Sequence, residues 1–138
     1  MKRSVELNWL EDLVFEVDNE GHKIMIDADM ENSGKPRGMR PKPLMMVSLA
    51  GCTAIDVVDI LKKMRVNIKG LSIKVDGNIR DELPKDFLSM HVIYVFKGKN
   101  LPLDKLERAV QLSKDKYCGV SATLAKAIDL TYEIQIID

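Results

Sequence analysis

Residues Pro43–Met64 read PLMMVSLAGCTAIDVVDILKKM. No charge falls between Pro43 and Ile55, in a chain where charged residues make up 30% of the total. A run this apolar predicts a core helix over 43–64, buried on almost every side through its first half. At about 1.5 Å per residue such a helix spans roughly 30 Å, the width of a small domain. Charge returns at Asp56, Asp59, Lys62 and Lys63, so the second half is expected to emerge into solvent. Lys62, Lys63 and Arg65 suit the negative end of the helix dipole. One thiol, Cys52, lies near the middle. A single small sheet shields one side of such a helix, so further cover must come from the C-terminal half or from a second chain.

Upstream, Val5, Leu7 and Trp9 alternate with polar residues, as do Leu13, Phe15 and Val17, the pattern of half-buried strands. Asp18-Asn-Glu-Gly21 is a turn signal, and a third strand is expected around Lys23–Ala28. Residues 1–28 therefore read as an antiparallel meander, with His22 solvated after the turn. Residues 29–42, DMENSGKPRGMRPK, form a loop whose glycines and prolines oppose regular structure. It carries Lys35, Arg37, Arg40 and Lys42. Either it is a basic surface loop, or one of its arginines folds over the helix entrance and reaches the thiol.

Downstream, residues 70–138 supply the rest of the layer. Leu71, Ile73 and Val75 predict a strand ending at an Asp76-Gly77 turn. Phe87–Phe96, FLSMHVIYVF, is apolar on both faces and predicts a central strand. His91 on it is expected to be a satisfied core group. The spacing of Leu103, Leu106, Val110 and Leu112 predicts an amphipathic helix through Tyr117, introduced by Pro102. Gly119 breaks it, a short helix restarts over Val120–Ile128, and Leu130, Tyr132, Ile134 and Ile136 form a last strand. Cys118 thus falls at a helix junction. The order is that of an α+β chain, expected to form a single domain over residues 1–138.

Composition narrows the function classes. The chain has 138 residues, 46% hydrophobic, with zero formal net charge, so no global field recruits nucleic acid or an acidic membrane. The opening MKRSVELNW lacks the apolar core of a secretory signal, and the apolar run looks too short to cross a bilayer. A cytoplasmic setting is expected, in which two cysteines do not form a permanent structural disulfide. Neither a second histidine nor a cysteine lies at metal-ligand spacing from His91, so no zinc site or other metal site is expected. Eight methionines against three phenylalanines and one tryptophan imply adaptable packing.

Cys52 and Cys118 stand 66 residues apart, so no CxxC redox motif is present. Cys118 near a helix N-terminus would be favoured as thiolate. Cys52 on a buried helix would have its pKa raised by desolvation unless a cation approaches. Two unrelated buried cysteines and a redox pair both remain open on this reading.

The segments LAGCTAIDVVDILKKMRV and QLSKDKYCGVSATL resemble the OsmC/Ohr family of osmotically inducible and organic-hydroperoxide-resistance proteins. The likeness is strongest to its YhfA-like branch, where GC(S/T)xxDVVxIL and KYCxVSxxL both recur, and it covers nearly the whole chain. The resemblance implies an OsmC-like fold: antiparallel sheets wrapped around a long central helix in an intertwined homodimer, with active sites at the dimer interface. It implies that Cys52 attacks the peroxide bond of an organic hydroperoxide, fatty acid hydroperoxides included, and that Cys118 resolves the sulfenate as a disulfide. An external dithiol, with no bound cofactor, would then reduce that disulfide. Leu44, Met45, Leu49 and Ile55 are the candidate wall for the apolar tail.

The chain departs from the family at one point. Hydroperoxide-reducing members carry a glutamate nine or ten residues before the first cysteine, where it orients an arginine against the thiolate; here those positions are Pro43 and Lys42. Arg37 or Arg40 is the candidate arginine. A second reading follows from the departure: a non-catalytic dimer that binds a small apolar ligand or senses redox state.

Overall fold

The structure is a computed structural model that describes residues 1–28 and 37–138. The chain divides into two compact units, Met1–Met45 and Met46–Asp138. In the first, strands β1 (Glu6–Glu11), β2 (Val14–Asn19) and β3 (His22–Ile26) form an antiparallel sheet in that order. Glu20 and Gly21 both have positive φ, 53° and 79°, the two-residue connection that matches strand twist. The expected meander is present and His22 is exposed. The expected half-burial of β1 is not found within this chain: every residue of β1 is exposed, Trp9 by 67%.

After residues 29–36, where Lys35 lies outside the described residues, the chain returns beside β3. Met39 N–H donates to the Met25 carbonyl at 2.9 Å, and Asp27 N–H donates to the Met39 carbonyl at 3.1 Å. Gly38 permits this approach, because a Cβ there would stand 2.5 Å from the Met25 carbonyl oxygen. The return sets Arg37 on Asp27.

Helix α1 (Pro41–Lys63) begins two residues before the expected Pro43. Within this chain its burial is a single stripe, Leu49, Thr53, Val57 and Leu61, each one turn from the next. The expectation of burial on almost every side therefore fails for the chain alone: Val47 is 51% exposed and Ile55 74%. By length and composition α1 is also long enough to cross a membrane, contrary to the estimate from its uncharged run.

In the second unit β4 (Gly70–Ile79), β5 (Phe87–Lys97) and β6 (Asp129–Ile137) form a sheet with β5 central, as its apolar run predicts. Helix α2 (Leu103–Leu112), a π-helical turn (Ser113–Tyr117) and helix α3 (Gly119–Leu124) connect β5 to β6. Because that connection carries the chain back along the sheet, β6 runs parallel to β5, and the sheet is mixed rather than wholly antiparallel. The core is the α1 stripe with Val66, the inward side chains Met90, Val92, Tyr94 and Phe96 of β5, and Leu106, Ala109 and Val110 of α2.

Two local expectations are corrected. Asp76-Gly77 is not a turn but part of β4, paired with His91 and Met90. Gly77 is there for space: a Cβ would lie 2.8 Å from Phe87 Cε1 and 3.0 Å from Met46 Sδ. His91 is satisfied, by Thr131 Oγ1 at 2.6 Å and Glu133 Oε1 at 2.9 Å, but on a partly exposed face of the sheet rather than in the core.

Candidate functional site

The two thiols meet. Cys52 lies one residue before the buried Thr53 on α1, half-turned out of the core stripe. Cys118 is 3% exposed and caps α3, its Sγ accepting the Ser121 N–H at 3.3 Å. Its own N–H donates five residues back to the Ser113 carbonyl at 2.7 Å, the bond that closes the π turn. Such a wide turn inserts a residue into a helix and re-aims the next side chain along the chain, here Cys118. The Sγ atoms of Cys52 and Cys118 and a carboxylate oxygen of Asp56 all lie within 4.8 Å of one another.

Asp56 is the residue that the sequence pattern misplaces. Charge spacing assigns it to the solvent end of the helix, yet it stands one turn beyond Cys52, on the same face, and is partly buried. Its Oδ2 accepts the Ser113 hydroxyl at 2.9 Å. Ser113 Oγ lies 2.9 Å from Thr53 Oγ1, which lies 2.6 Å from the Tyr94 hydroxyl. Ser113 has one proton and gives it to the carboxylate, so Thr53 must donate to Ser113 and Tyr94 to Thr53. Thr53, Tyr94 and Ser113 are each fully buried, and together they form a polarised line of hydroxyls ending on Asp56. Burial pushes the Tyr94 hydroxyl well above its ordinary pKa, keeping it a donor. Alongside, Tyr132 stacks on Tyr94 with centroids 6.3 Å apart and donates to Ser121 Oγ at 3.4 Å.

The electrostatics oppose a free thiolate at Cys52. Burial raises its pKa first; the neighbouring Cys118 and Asp56 raise it further, while a hydrogen bond from the Val120 backbone N–H lowers it. The net shift is upward. A pocket of about 340 Å³ opens beside Asp56, walled by Ile60, Met64, Leu112 and Tyr117.

The family model for OsmC-like proteins matches residues 33–133, a span that holds both thiols and Asp56. The chain belongs to the OsmC-like family. It is 35% identical to protein YhfA of Escherichia coli K12 over 134 residues, covering 95% of this chain and 96% of that protein. Among solved structures, a hypothetical protein from Aquifex aeolicus VF5 superposes with a TM-score of 0.87 at 30% identity, covering 99% of this chain and 97% of the other. A protein from Legionella pneumophila named as an organic hydroperoxide resistance protein OsmC shares the fold, with a TM-score of 0.69, 14% identity, and coverage of 96% and 97%.

The other candidate residues of this OsmC-like protein are divided between the two units. Arg37 belongs to the first unit, where its Nε binds Asp27 Oδ2 at 3.1 Å and its Nη1 binds Asp12 Oδ2 at 3.2 Å, with Glu11 Oε1 at 3.8 Å. Asp27 is 1% exposed, so this pairing holds a buried carboxylate. Arg40 is exposed and forms no ion pair among the described residues. Leu49 is a core residue with no exposure, Leu44 is half-buried, and Met45 and Ile55 are exposed by 44% and 74%. Leu49 and Ile55 are six positions apart, which sets them on different sides of α1.

Two signals in the sequence point to Asp56 and its support. The four-residue step from Cys52 to Asp56 puts a carboxylate beside the thiol on any helix. Thr53 and Ser113, small hydroxyl residues within apolar-periodic segments, need partners if buried.

Proposed function

We propose that this OsmC-like protein is a thiol-dependent reductase of organic hydroperoxides acting through Cys52 and Cys118. The supporting observation is the approach of the two thiols, 66 residues apart in sequence, to within 4.8 Å together with Asp56. Membership in the family and the name of the Legionella protein support the substrate class.

In this reading the Cys52 thiolate attacks the terminal oxygen of R–O–O–H. The O–O bond breaks, Cys52 becomes a sulfenic acid, and the alkoxide leaves and takes a proton as the alcohol. Cys118 then attacks the Cys52 sulfur, the S–O bond breaks, hydroxide leaves as water, and a disulfide forms. An external dithiol returns both cysteines by exchange. Val120 N–H is the donor positioned to favour the Cys52 thiolate, and Ser121 N–H donates to Cys118 Sγ. Arg37 and Arg40 are kept as candidates for activating Cys52, and Leu44, Met45, Leu49 and Ile55 as candidates for apolar contact with substrate in the assembled protein.

The proposal includes a cytoplasmic homodimer of one domain per chain, binding neither nucleic acid nor membrane. The uncovered apolar residues Val47 and Ile55 of α1 support a second copy as the missing cover.

A second reading has its own observation. The raised Cys52 pKa and the absence of an acidic residue between Lys35 and Ile55 favour a non-catalytic dimer that binds a small apolar ligand or responds slowly to oxidation. The discriminating experiment adds cumene hydroperoxide to reduced protein with a dithiol. On the enzymatic reading, peroxide is consumed and a Cys52–Cys118 disulfide appears by mass spectrometry, and both vanish in Cys52→Ser. Equal consumption by wild type and that variant refutes it.

A further inference from the structure

The three atoms that meet at this site are also a ligand set. Two sulfurs and a carboxylate oxygen, mutually within 4.8 Å, come from one helical turn of α1 and from the cap of α3. Around a tetrahedral zinc ion, with Zn–S near 2.3 Å and Zn–O near 2.1 Å, ligand atoms stand roughly 3.5–3.8 Å apart. Contraction by about an ångström closes the set. Two thiolates with one carboxylate suit a borderline-soft divalent cation rather than magnesium or calcium.

We propose that the reduced chain binds one zinc ion through Cys52 Sγ, Cys118 Sγ and the Asp56 carboxylate, with a fourth position open to water or an added thiol. Binding forms two Zn–S bonds and one Zn–O bond, and the two thiol protons pass to the buffer. No electron moves.

The surroundings are those of a held ligand set. Asp56 is fixed by the buried line Tyr94, Thr53, Ser113, and outer hydrogen bonds of this kind orient a metal-binding carboxylate. The backbone N–H groups of Val120 and Ser121 donate to the two sulfurs, one each, which offsets part of their negative charge. Metal and peroxide then compete, since coordination to zinc draws charge from the sulfur and lowers its nucleophilicity toward an O–O bond while the ion stays bound. The reduced dithiol would be protected by zinc and released by a chelator.

The inference goes beyond the peroxidase reading and does not depend on it, because metal binding is measured without peroxide. Reduced protein is titrated anaerobically with zinc chloride against a chromophoric chelator, and with cobalt(II) to detect thiolate-to-metal charge transfer. The expected result is one ion per chain with the charge-transfer band, two protons released, and no binding after both thiols are alkylated. Asp56→Asn should weaken zinc by at least about tenfold, the low end of what losing even an outer partner costs. Cys118→Ser should abolish the cobalt band, and the more exposed position gives the same test through Cys52→Ser where Cys118→Ser misfolds. Absence of binding to the reduced wild type, a stoichiometry other than one, or equal affinity in folded Asp56→Asn overturns the site. Zinc binding without peroxide consumption leaves the site standing and removes only the peroxidase reading.

Discussion

Thr53→Val tests the direction of the hydroxyl line. The two side chains have nearly the same shape, so no cavity opens and the change is confined to hydrogen bonding. Thr53 accepts from Tyr94 at 2.6 Å and donates to Ser113 at 2.9 Å, all three side chains being without exposure. Valine removes both bonds, each worth about 1 kcal/mol net. It also strands the Tyr94 O–H as a buried donor, adding about 1–3 kcal/mol. Ser113 still donates to Asp56 and loses only an incoming bond. The expected cost of Thr53→Val is therefore about 3–5 kcal/mol.

Tyr94→Phe should behave differently because it strands nothing. Thr53 keeps its acceptor, and one bond disappears for about 1 kcal/mol. With Tyr94→Phe already in place, Thr53→Val leaves no orphaned donor and should cost about 1 kcal/mol. The cycle thus predicts a coupling of about 2–4 kcal/mol, well above the few tenths expected of independent sites. Denaturant unfolding of the reduced protein at fixed protein concentration measures it, provided the slope is unchanged across the four proteins. Additive costs, or a Tyr94→Phe cost equal to that of Thr53→Val, would refute the assignment of Tyr94 as donor and Asp56 as terminus.

Two further predictions concern the thiol and the helix face. Cys52 has a folded-state pKa above its unfolded value, so the native state holds a proton that the unfolded thiol releases. Its contribution to stability is fully present below the ordinary thiol pKa of about 8.5 and is lost as pH rises through the folded value. Reduced wild type should therefore lose stability relative to Cys52→Ser as pH is raised from about 8 to 10, and a difference that moves the other way contradicts the shift. Ile55→Glu tests the proposed dimer: burying an isoleucine contributes about 1.5–3 kcal/mol, and twofold symmetry counts it twice. Sedimentation should show a dimer dissociation constant raised by roughly 10²–10⁴-fold. An unchanged dimer would place the interface elsewhere.

How much of this is legible in the sequence depends on the range of each signal. Strands β1–β3, α1, β5 and the helix junction at Cys118 follow from periodicity and turn residues, because those patterns are local. The Glu20-Gly21 turn is readable for the same reason, since only a positive-φ connection joins strands so closely. Gly77 shows where local reading fails. Asp-Gly is a turn signal in isolation, but Phe87 and Met46 crowd that position and make the absent side chain the reason for the glycine. Crowding by residues far along the chain leaves no mark in the dipeptide. The parallel pairing of β6 is hidden likewise, since strand direction is set by the intervening crossover rather than by the strand's own residues.

The site divides in the same way. Cys52 and Cys118 stand out through their flanking motifs, and nothing in their spacing requires them to meet. Asp56 is visible as a charge and reads as solvated, because a carboxylate on a helix usually is. What reverses that default is the line of hydroxyls behind it, drawn from α1, β5 and the π turn. A partly buried carboxylate is stabilised when its lone pairs are met, and the line Tyr94, Thr53, Ser113 meets one on Asp56 beside the thiols. Burial first, and then the neighbouring Cys118 and Asp56, raise the Cys52 pKa, which opposes peroxide attack. Two sulfurs and an oxygen within 4.8 Å of one another are the geometry that a cation would need. The site's chemistry therefore turns on Asp56 as well as on the two cysteines: a dithiol alone serves redox exchange, while the fixed carboxylate beside it supplies charge that a bound cation would satisfy.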